Sequence, residues 1–114
     1  MERYFELWQT QDAEHLDEVF TPDAVYQVKP FGVEVHSGLE AIRRYWQRKV
    51  VELQIDPKPE VLKTAYGDDF VFAEWEHIFT THEGSIKTLR GILLLEFEGP
   101  LVKELREHYA AKEQ

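Results

Sequence analysis

The 114-residue sequence contains neither cysteine nor asparagine. Without cysteine, disulfide bonds, thiolate metal ligands and cysteine nucleophiles are all excluded. Without asparagine there is no acceptor for N-linked glycosylation. A stable fold must therefore rest on an apolar core.

Long apolar runs and an excess of positive charge are also missing. Runs such as 92–95 are far too short to span a bilayer, and the first residues contain no signal-like apolar segment. Thirteen basic and 22 acidic residues give a net charge of −9, and long-range repulsion then opposes binding to nucleic acids and anionic membranes. We therefore expect a cytoplasmic protein with one domain, residues 1–114.

The first half of the sequence has the apolar periodicity of helices. Two runs, one around Phe5 and Trp8 and one over 16–20, have helical spacing, and Thr21-Pro22-Asp23 ends the second. A short strand at 25–28 and a turn at 29–32 follow. Ser37 and Glu40 form an S-x-x-E capping box, which predicts a third helix over 38–53.

The second half alternates with the period of strands. Strands are predicted at about 60–66, 70–80, 85–97 and 101–111, separated by breaks rich in glycine, aspartate and proline. Short turns between the long strands predict an antiparallel meander, with the helices covering one face of the sheet. This order of elements indicates an α+β fold.

Several short motifs are informative when taken together: Phe20–Tyr26, Pro30–Gly32, Ser37–Ile42, Tyr45–Trp46 and Phe97–Tyr109. In order and spacing they resemble those of the NTF2-like superfamily, which includes the SnoaL-like polyketide cyclases and the ketosteroid isomerases. The resemblance implies three N-terminal helices on a strongly curved mixed sheet, a pocket in the mouth of the resulting cone, and frequent dimers. It implies little about chemistry, because this fold hosts enzymes of several classes as well as binding modules.

The catalytic residues of the isomerases are only partly present. Tyr4 matches their oxyanion-binding tyrosine, but Lys29 stands at the position of the aspartate base and Leu93 at that of a second acid. Steroid isomerisation is therefore disfavoured. The Asp-Arg-Asp arrangement of limonene-type epoxide hydrolases needs an asparagine and is also incomplete. Polyketide cyclases use an aspartate or histidine in the strand half, which leaves His77, His82 and His108 as candidates.

Counting strand pairs outward from the tight turns predicts which side chains face the pocket. If Leu93 lies on the concave face, this register places Glu74 and His108 there too, flanking Gly91 with their Cα atoms roughly 10 Å apart. A carboxylate and an imidazole around a glycine gap can act as general base and general acid. The alternative is an exposed row of ion pairs on the sheet, which would contribute little to stability.

This register gives the candidate site. The catalytic candidates are Glu74, His108 and Tyr4, although Tyr4 is equally well explained as a helix-packing residue. The ligand-binding candidates are Trp8, Tyr26, Trp46, Phe72, Glu76, Leu93 and Arg106, and the two tryptophans also fit the apolar core. No pair of histidines has the tight spacing of a metal site, so neither metal nor cofactor is expected.

The same register places Trp75, Arg90 and Tyr109 in one line on the other face, beside Ile92 and Leu94. An apolar solvent face predicts a homodimer through the sheets, whereas a register shifted by one residue would put Trp75 and His77 in the pocket.

The expected function is binding of a compact, mostly apolar, uncharged ligand, with cofactor-free acid–base catalysis. The alternative is a ligand-binding or dimerisation module without catalysis.

Overall fold

Two helices pack against one six-stranded mixed sheet in the computed structural model, which describes residues 2–28 and 34–111. The elements are α1 (Glu2–Thr10), a 3₁₀ turn (Leu16–Glu18), β1 (Phe20–Val28), β2 (Glu34–Ser37), α2 (Leu39–Trp46), a π-helical segment (Gln47–Glu52), β3 (Ile55–Tyr66), β4 (Phe70–Thr80), β5 (Ile86–Glu98) and β6 (Leu101–Ala111). The strand order is β2-β1-β6-β5-β4-β3. Only the β1–β6 pair is parallel within the described residues.

The prediction of three N-terminal helices is wrong, because the second predicted helix does not form. Residues 16–18 form a single 3₁₀ turn, and Phe20 already begins β1 by pairing with Val102 of β6. The carboxylate of Asp12 accepts hydrogen bonds from the backbone N–H groups of Glu14 and His15, which shapes the approach to this turn. The apolar residues of the predicted helix are buried all the same, because a strand edge and a turn cover them equally well.

The third predicted helix is present but changes geometry along its length. It begins at Leu39 after Gly38, and no side-chain cap bond forms there, so the predicted capping box is absent. After Trp46 the chain continues as the π-helical segment, whose wider turn is often found at functional sites. The side-chain amide of Gln11 donates to the carbonyl oxygens of Val50 and Gln54, at 2.9 and 2.5 Å, and so ties this segment to the end of α1.

The antiparallel meander of the second half is confirmed. The bounds of β4 and β6 are those predicted, and β5 differs by one residue at each end. β3 begins at Ile55, before the predicted start, because the proline-containing stretch 56–59 joins the sheet. An edge strand tolerates prolines, since one of its sides needs no N–H donors. The turn predicted at 29–32 lies outside the described residues.

The predicted strand register is wrong by one residue on both sides of β5. The turn between β4 and β5 has five residues, so that Thr80 pairs with Ile86 rather than Ser85. Between β5 and β6 the pair Phe97–Val102 is as predicted, but Glu96 pairs with Glu104, which leaves Lys103 as a bulge. A slip of one residue exchanges the two faces of a strand. The face covered by the helices therefore carries Trp75, Leu93, Glu107 and Tyr109.

Candidate functional site

A cavity of about 100 Å³ lies between the helices and the covered face of the sheet. We call it the aromatic cavity, because most of its wall is aromatic. Its helical side is formed by Tyr4, Trp8, Tyr45, Lys49, Val50, Leu53 and Gln54, and its sheet side by Tyr26, Trp75, Phe79, Leu89, Glu107 and Tyr109. Lys49 and Leu53 are exposed and mark its mouth. An apolar cavity of about 150 Å³ can hold one benzene molecule, so this space suits a small molecule or one end of a larger one.

The aromatic walls support one another through ring contacts. Trp8 meets Trp75 edge-on at 5.2 Å between ring centroids, and Tyr26 lies 5.4 Å from Tyr45. The hydroxyl groups of Tyr4 and Tyr26 share a hydrogen bond of 3.0 Å. Such pairs add to the free energy of folding beyond the burial of their area, and they hold the rings in fixed orientations.

Glu107 is the one carboxylate among the residues described as lining the cavity. It projects from β6 and is only 7% exposed. Its Oε2 atom is buried and has no hydrogen-bond partner among the described residues. Burial in these apolar surroundings raises the pKa of Glu107 to about 8, because the charged form loses its hydration. The cavity therefore contains a mostly neutral carboxylic acid near neutral pH.

Four tyrosines surround this acid. Burial, together with the negative charge of Glu107, raises the pKa of Tyr4 and of Tyr26 well above 10. Burial is also the main cause of the raised pKa values of Tyr45 and Tyr109. The next cause is the neighbouring phenol of Tyr26 for Tyr45 and the charge of Glu107 for Tyr109. All four phenols remain protonated, so the site offers neutral O–H donors around one carboxyl group.

A buried polar cluster fixes the inner wall of the cavity. The Oε1 atom of Gln54 accepts hydrogen bonds from Nε1 of Trp8 at 3.0 Å and from Nε2 of His77 at 2.6 Å. The Nε2 atom of Gln54 donates to the carbonyl oxygen of Lys49, which fixes the orientation of the amide. Burial lowers the pKa of His77 to about 4, so this imidazole is neutral and serves to position Trp8 and Gln54.

The structure divides the predicted site residues into three groups. Tyr4, Trp8 and Tyr26 line the aromatic cavity. Trp46 and Leu93 are buried in the core and are absent from the cavity wall. The remaining five lie on the opposite face of the sheet, which we call the outer face: Phe72, Glu74, Glu76, Arg106 and His108.

The predicted acid–base pair is therefore misplaced. Glu74 and His108 flank Ile92, not Gly91, and both point away from the cavity because of the register error. Glu74 instead borders an open depression of about 410 Å³ on the outer face, beside Phe72 and Ile92.

Other outer-face charges form ion pairs, as the alternative interpretation proposed. Glu76 pairs with Arg90 at 2.7 Å, and Arg106 pairs with Glu96 at 2.5 Å. These exposed pairs contribute little to stability.

The face predicted for a dimer also changes. Trp75 and Tyr109 line the cavity instead. This agrees with the shifted register considered above for Trp75 and His77, and His77 is buried against the ring of Trp8.

Sequence reasoning missed Glu107 altogether. The sequence signal for Glu107 was its alternation with Leu105 and Tyr109, which places the three side chains on one face of β6. That this face is the one toward the cavity can be inferred only when the bulge at Lys103 is known. Lys29, at the position of the isomerase base, lies outside the described residues.

Two further observations concern metal ions and membranes. Among residues 2–28 and 34–111, no group of three histidine, aspartate or glutamate side chains is placed to hold a metal ion. No helix in the described part of the chain has the length and apolar character needed to cross a bilayer.

Solved structures share this fold at low sequence identity. A protein of ketosteroid isomerase-like fold from Catenulispora acidiphila, solved with trimethylamine, has a TM-score of 0.79 at 17% identity and covers 91% of this chain and 79% of its own. The epoxide hydrolase/cyclase-like enzyme SalBIII, which has a role in pyran ring formation in salinomycin, gives 0.81 at 17% identity, with coverage of 96% and 86%. A SnoaL-like polyketide cyclase described for Shewanella denitrificans gives 0.82 at 13%, with coverage of 94% and 85%.

At these identities the likeness establishes the fold, a curved mixed sheet with helices on one face. No functionally curated protein matches the sequence. The SnoaL-like domain family, by contrast, matches residues 1–105, which is nearly the whole chain. The chain therefore belongs to the SnoaL-like domain family.

Proposed function

We propose that this protein binds a compact organic ligand in the aromatic cavity and that Glu107 acts on it as a cofactor-free general acid or base. The observation that carries the proposal is the buried carboxyl group of Glu107 in the cavity wall, whose Oε2 atom has no hydrogen-bond partner among the described residues. An unpaired polar group in such a place costs stability, which a ligand can offset by supplying the missing partner.

The protonation equilibrium of Glu107 suits this role. A pKa of about 8 leaves both the acid and the carboxylate accessible near neutral pH, which is where general acid–base catalysis is most effective. On a ligand with an acidic C–H group beside a carbonyl, the carboxylate would take the proton. The hydroxyl of Tyr4, held by Tyr26 at 3.0 Å, would donate a hydrogen bond to the carbonyl oxygen as negative charge develops there.

The polar atoms of the wall favour a ligand with at least one oxygen or nitrogen. Trp75 also lines the cavity, and its buried Nε1–H has no acceptor among the described residues. An unpaired donor and an unpaired acceptor thus border a space of about 100 Å³. The ligand is either small throughout or inserts one end, while the rest extends past Lys49 and Leu53 at the mouth.

Two fold relatives are in keeping with this proposal. SalBIII is an enzyme described as epoxide hydrolase/cyclase-like, and the Catenulispora protein holds trimethylamine, a molecule small enough for a cavity of this size. The competing function is binding without catalysis. It is favoured by Leu93, which occupies a core position where the isomerases place a second acid.

The test is a thermal-stabilisation screen of compact carbonyl compounds, epoxides and hydroxy compounds, followed by turnover assays on every hit. Glu107→Gln should lower turnover by about 10²- to 10⁴-fold while keeping the shape of the cavity. Tyr4→Phe should lower it less. Glu74→Gln, on the outer face, is the matched control and should leave turnover unchanged.

The outcomes separate the two functions. Hits that bind through Glu107 but are never turned over would make the protein a binding module. A hit whose affinity and turnover are both insensitive to Glu107→Gln would overturn the proposed site.

A further inference from the structure

We propose that the preferred ligand carries a positive charge on an alkylated nitrogen, as in a tertiary or quaternary ammonium group. This inference rests on the proposed function, because it names the ligand class of the same site. It replaces the expectation of an uncharged ligand. Two independent features of the aromatic cavity carry it, its wall of aromatic rings and its buried carboxyl group.

The aromatic wall is suited to a soft cation. Six lining residues are tyrosine or tryptophan: Tyr4, Trp8, Tyr26, Tyr45, Trp75 and Tyr109. Neighbouring rings meet at steep angles, 67° between Tyr4 and Trp8 and 75° between Trp8 and Trp75. Rings arranged in this way border one space from different directions. The negative faces of such rings attract ammonium groups, and sets of them form the cages that recognise methylated nitrogen.

The carboxyl group distinguishes a cation from a neutral ligand of the same shape. No cation pairs with Glu107 in the described part of the chain. A buried carboxylate without a partner is costly, and an ammonium group entering the cavity would provide one. A neutral ligand of equal volume would leave that cost in place. The net charge of −9 adds a general attraction for small cations.

Binding of a cation must then release a proton. Glu107 is mostly protonated near neutral pH, and a cation at contact distance stabilises the carboxylate form. The other ionisable groups of the cavity are the phenols of Tyr4, Tyr26, Tyr45 and Tyr109, whose pKa values all lie above that of an ordinary tyrosine. The other charged or titratable neighbours are Lys49 at the mouth, Glu34, whose charge acts on Tyr45, and His36, which bonds to Glu34 and packs against the ring of Tyr45.

The pH dependence follows from this set. For a quaternary ammonium ligand, which does not titrate, affinity should rise by up to about tenfold per pH unit below the pKa of Glu107 and level off above it. No phenol titrates in that window. Isothermal titration in buffers of different ionisation enthalpy should detect the release of close to one proton per ligand near neutral pH.

The experiment compares choline with 3,3-dimethylbutan-1-ol, its neutral carbon analogue of the same shape. Choline should bind at least about tenfold more tightly above the pKa of Glu107, since only the cation can pair with the buried carboxylate. Glu107→Gln should remove most of this preference and its pH dependence, and leave the affinity for the neutral analogue nearly unchanged. Glu74→Gln should behave as the wild type. Potassium chloride at matched ionic strength controls for non-specific effects.

Each other result overturns the inference. Equal affinities for the two probes, no binding of either, or a choline preference that survives Glu107→Gln would each exclude a cation site built on this carboxylate. The proposed function has a separate readout. If Glu107-dependent turnover of a neutral compound is found while choline fails to bind, only the cation preference is wrong. If Glu107→Gln changes neither choline binding nor any turnover, both proposals fail.

Discussion

At the scale of single residues, the stability of the protein should depend on the ionisation of Glu107. Its pKa is about 8 in the folded protein and near 4.5 when exposed, so the folded state binds the proton more tightly. The free energy of unfolding should therefore fall between about pH 4.5 and pH 8, by a few kcal/mol, and level off above. Glu107→Gln should remove this loss. Urea unfolding of both proteins at several pH values measures it, and equal pH profiles would show that Glu107 ionises normally.

His77 should produce the opposite pH dependence in the acidic range. Burial lowers its pKa to about 4 from 6.5, so the unfolded state binds the proton more tightly. Stability contributed by the neutral imidazole is complete above about pH 6.5 and is lost as the pH falls toward 4. NMR titration should show the His77 ring neutral down to about pH 4. His15, whose pKa is raised by its bond to Asp12, is the internal comparison, and similar midpoints for the two rings would contradict the prediction.

At the scale of elements, Gly91 decides how β4, β5 and β6 fit together. It lies between Trp75 and Tyr109 on neighbouring strands. A Cβ atom at position 91 would stand 2.5 Å from the His108 carbonyl oxygen and 2.8 Å from Cζ2 of Trp75. The space beside Gly91 that the sequence predicts for a ligand is therefore filled by the indole ring of Trp75, which packs against the glycine.

Gly91→Ala should therefore lower the free energy of unfolding by about 1–3 kcal/mol, because overpacking moves the indole and the neighbouring strand. Chemical denaturation gives the loss, and near-ultraviolet circular dichroism reports the displaced indole. A variant as stable as the wild type, with an unchanged aromatic spectrum, would contradict the prediction. It would mean that the strands accommodate the added methyl group without a loss in the free energy of unfolding.

The sequence predicts the elements of the strand half well and the faces of its strands badly. Glycine, proline and aspartate mark the turns, so β4 and β6 have the bounds expected from composition. The face of β5 is ambiguous, since Ile92, Leu93, Leu94 and Leu95 are all apolar and show no alternation. The five-residue turn and the bulge at Lys103 then decide the register through tertiary packing. Glu107 was missed and Glu74 chosen for this one reason, whereas Tyr4, Trp8 and Tyr26 could be predicted because they do not depend on that register.

At the scale of the whole molecule, the outer face carries exposed apolar side chains among its ion pairs. Phe72 of β4 and Ile92 of β5 are 38% and 40% exposed, and Phe72 pairs with Leu94 of β5. We propose that two copies pair through this face, with Arg90, Ile92 and Leu94 retained from the predicted dimer surface and Phe72 added. A stable pair needs about 800 Å² from each copy, which the faces of the long strands β4 and β5 can provide.

Sedimentation should find a dimer at micromolar concentration, and Ile92→Glu should convert it to a monomer, because unpaired charges would be buried in the interface. Tyr66→Glu is the control. Tyr66 is 71% exposed and shares the face of Ala73 rather than the outer face, so this variant should stay dimeric. A monomeric wild type would exclude the pairing.

All three tryptophans of the chain lie at or behind the aromatic cavity, and none is exposed to solvent. Trp8 and Trp75 line it, while Trp46 packs against Tyr4. The native fluorescence of the protein is therefore a built-in optical reporter of this one site. A bound ammonium ion and the ionised form of Glu107 would each change the electric field at the indole rings, so emission should shift with choline and with pH. In Glu107→Gln the pH-dependent shift should vanish, and the choline-dependent shift should require higher choline concentrations. Unlabelled protein in a fluorimeter is thus enough to follow occupancy of the cavity, and a spectrum indifferent to saturating choline would show that the probe never reaches the indoles.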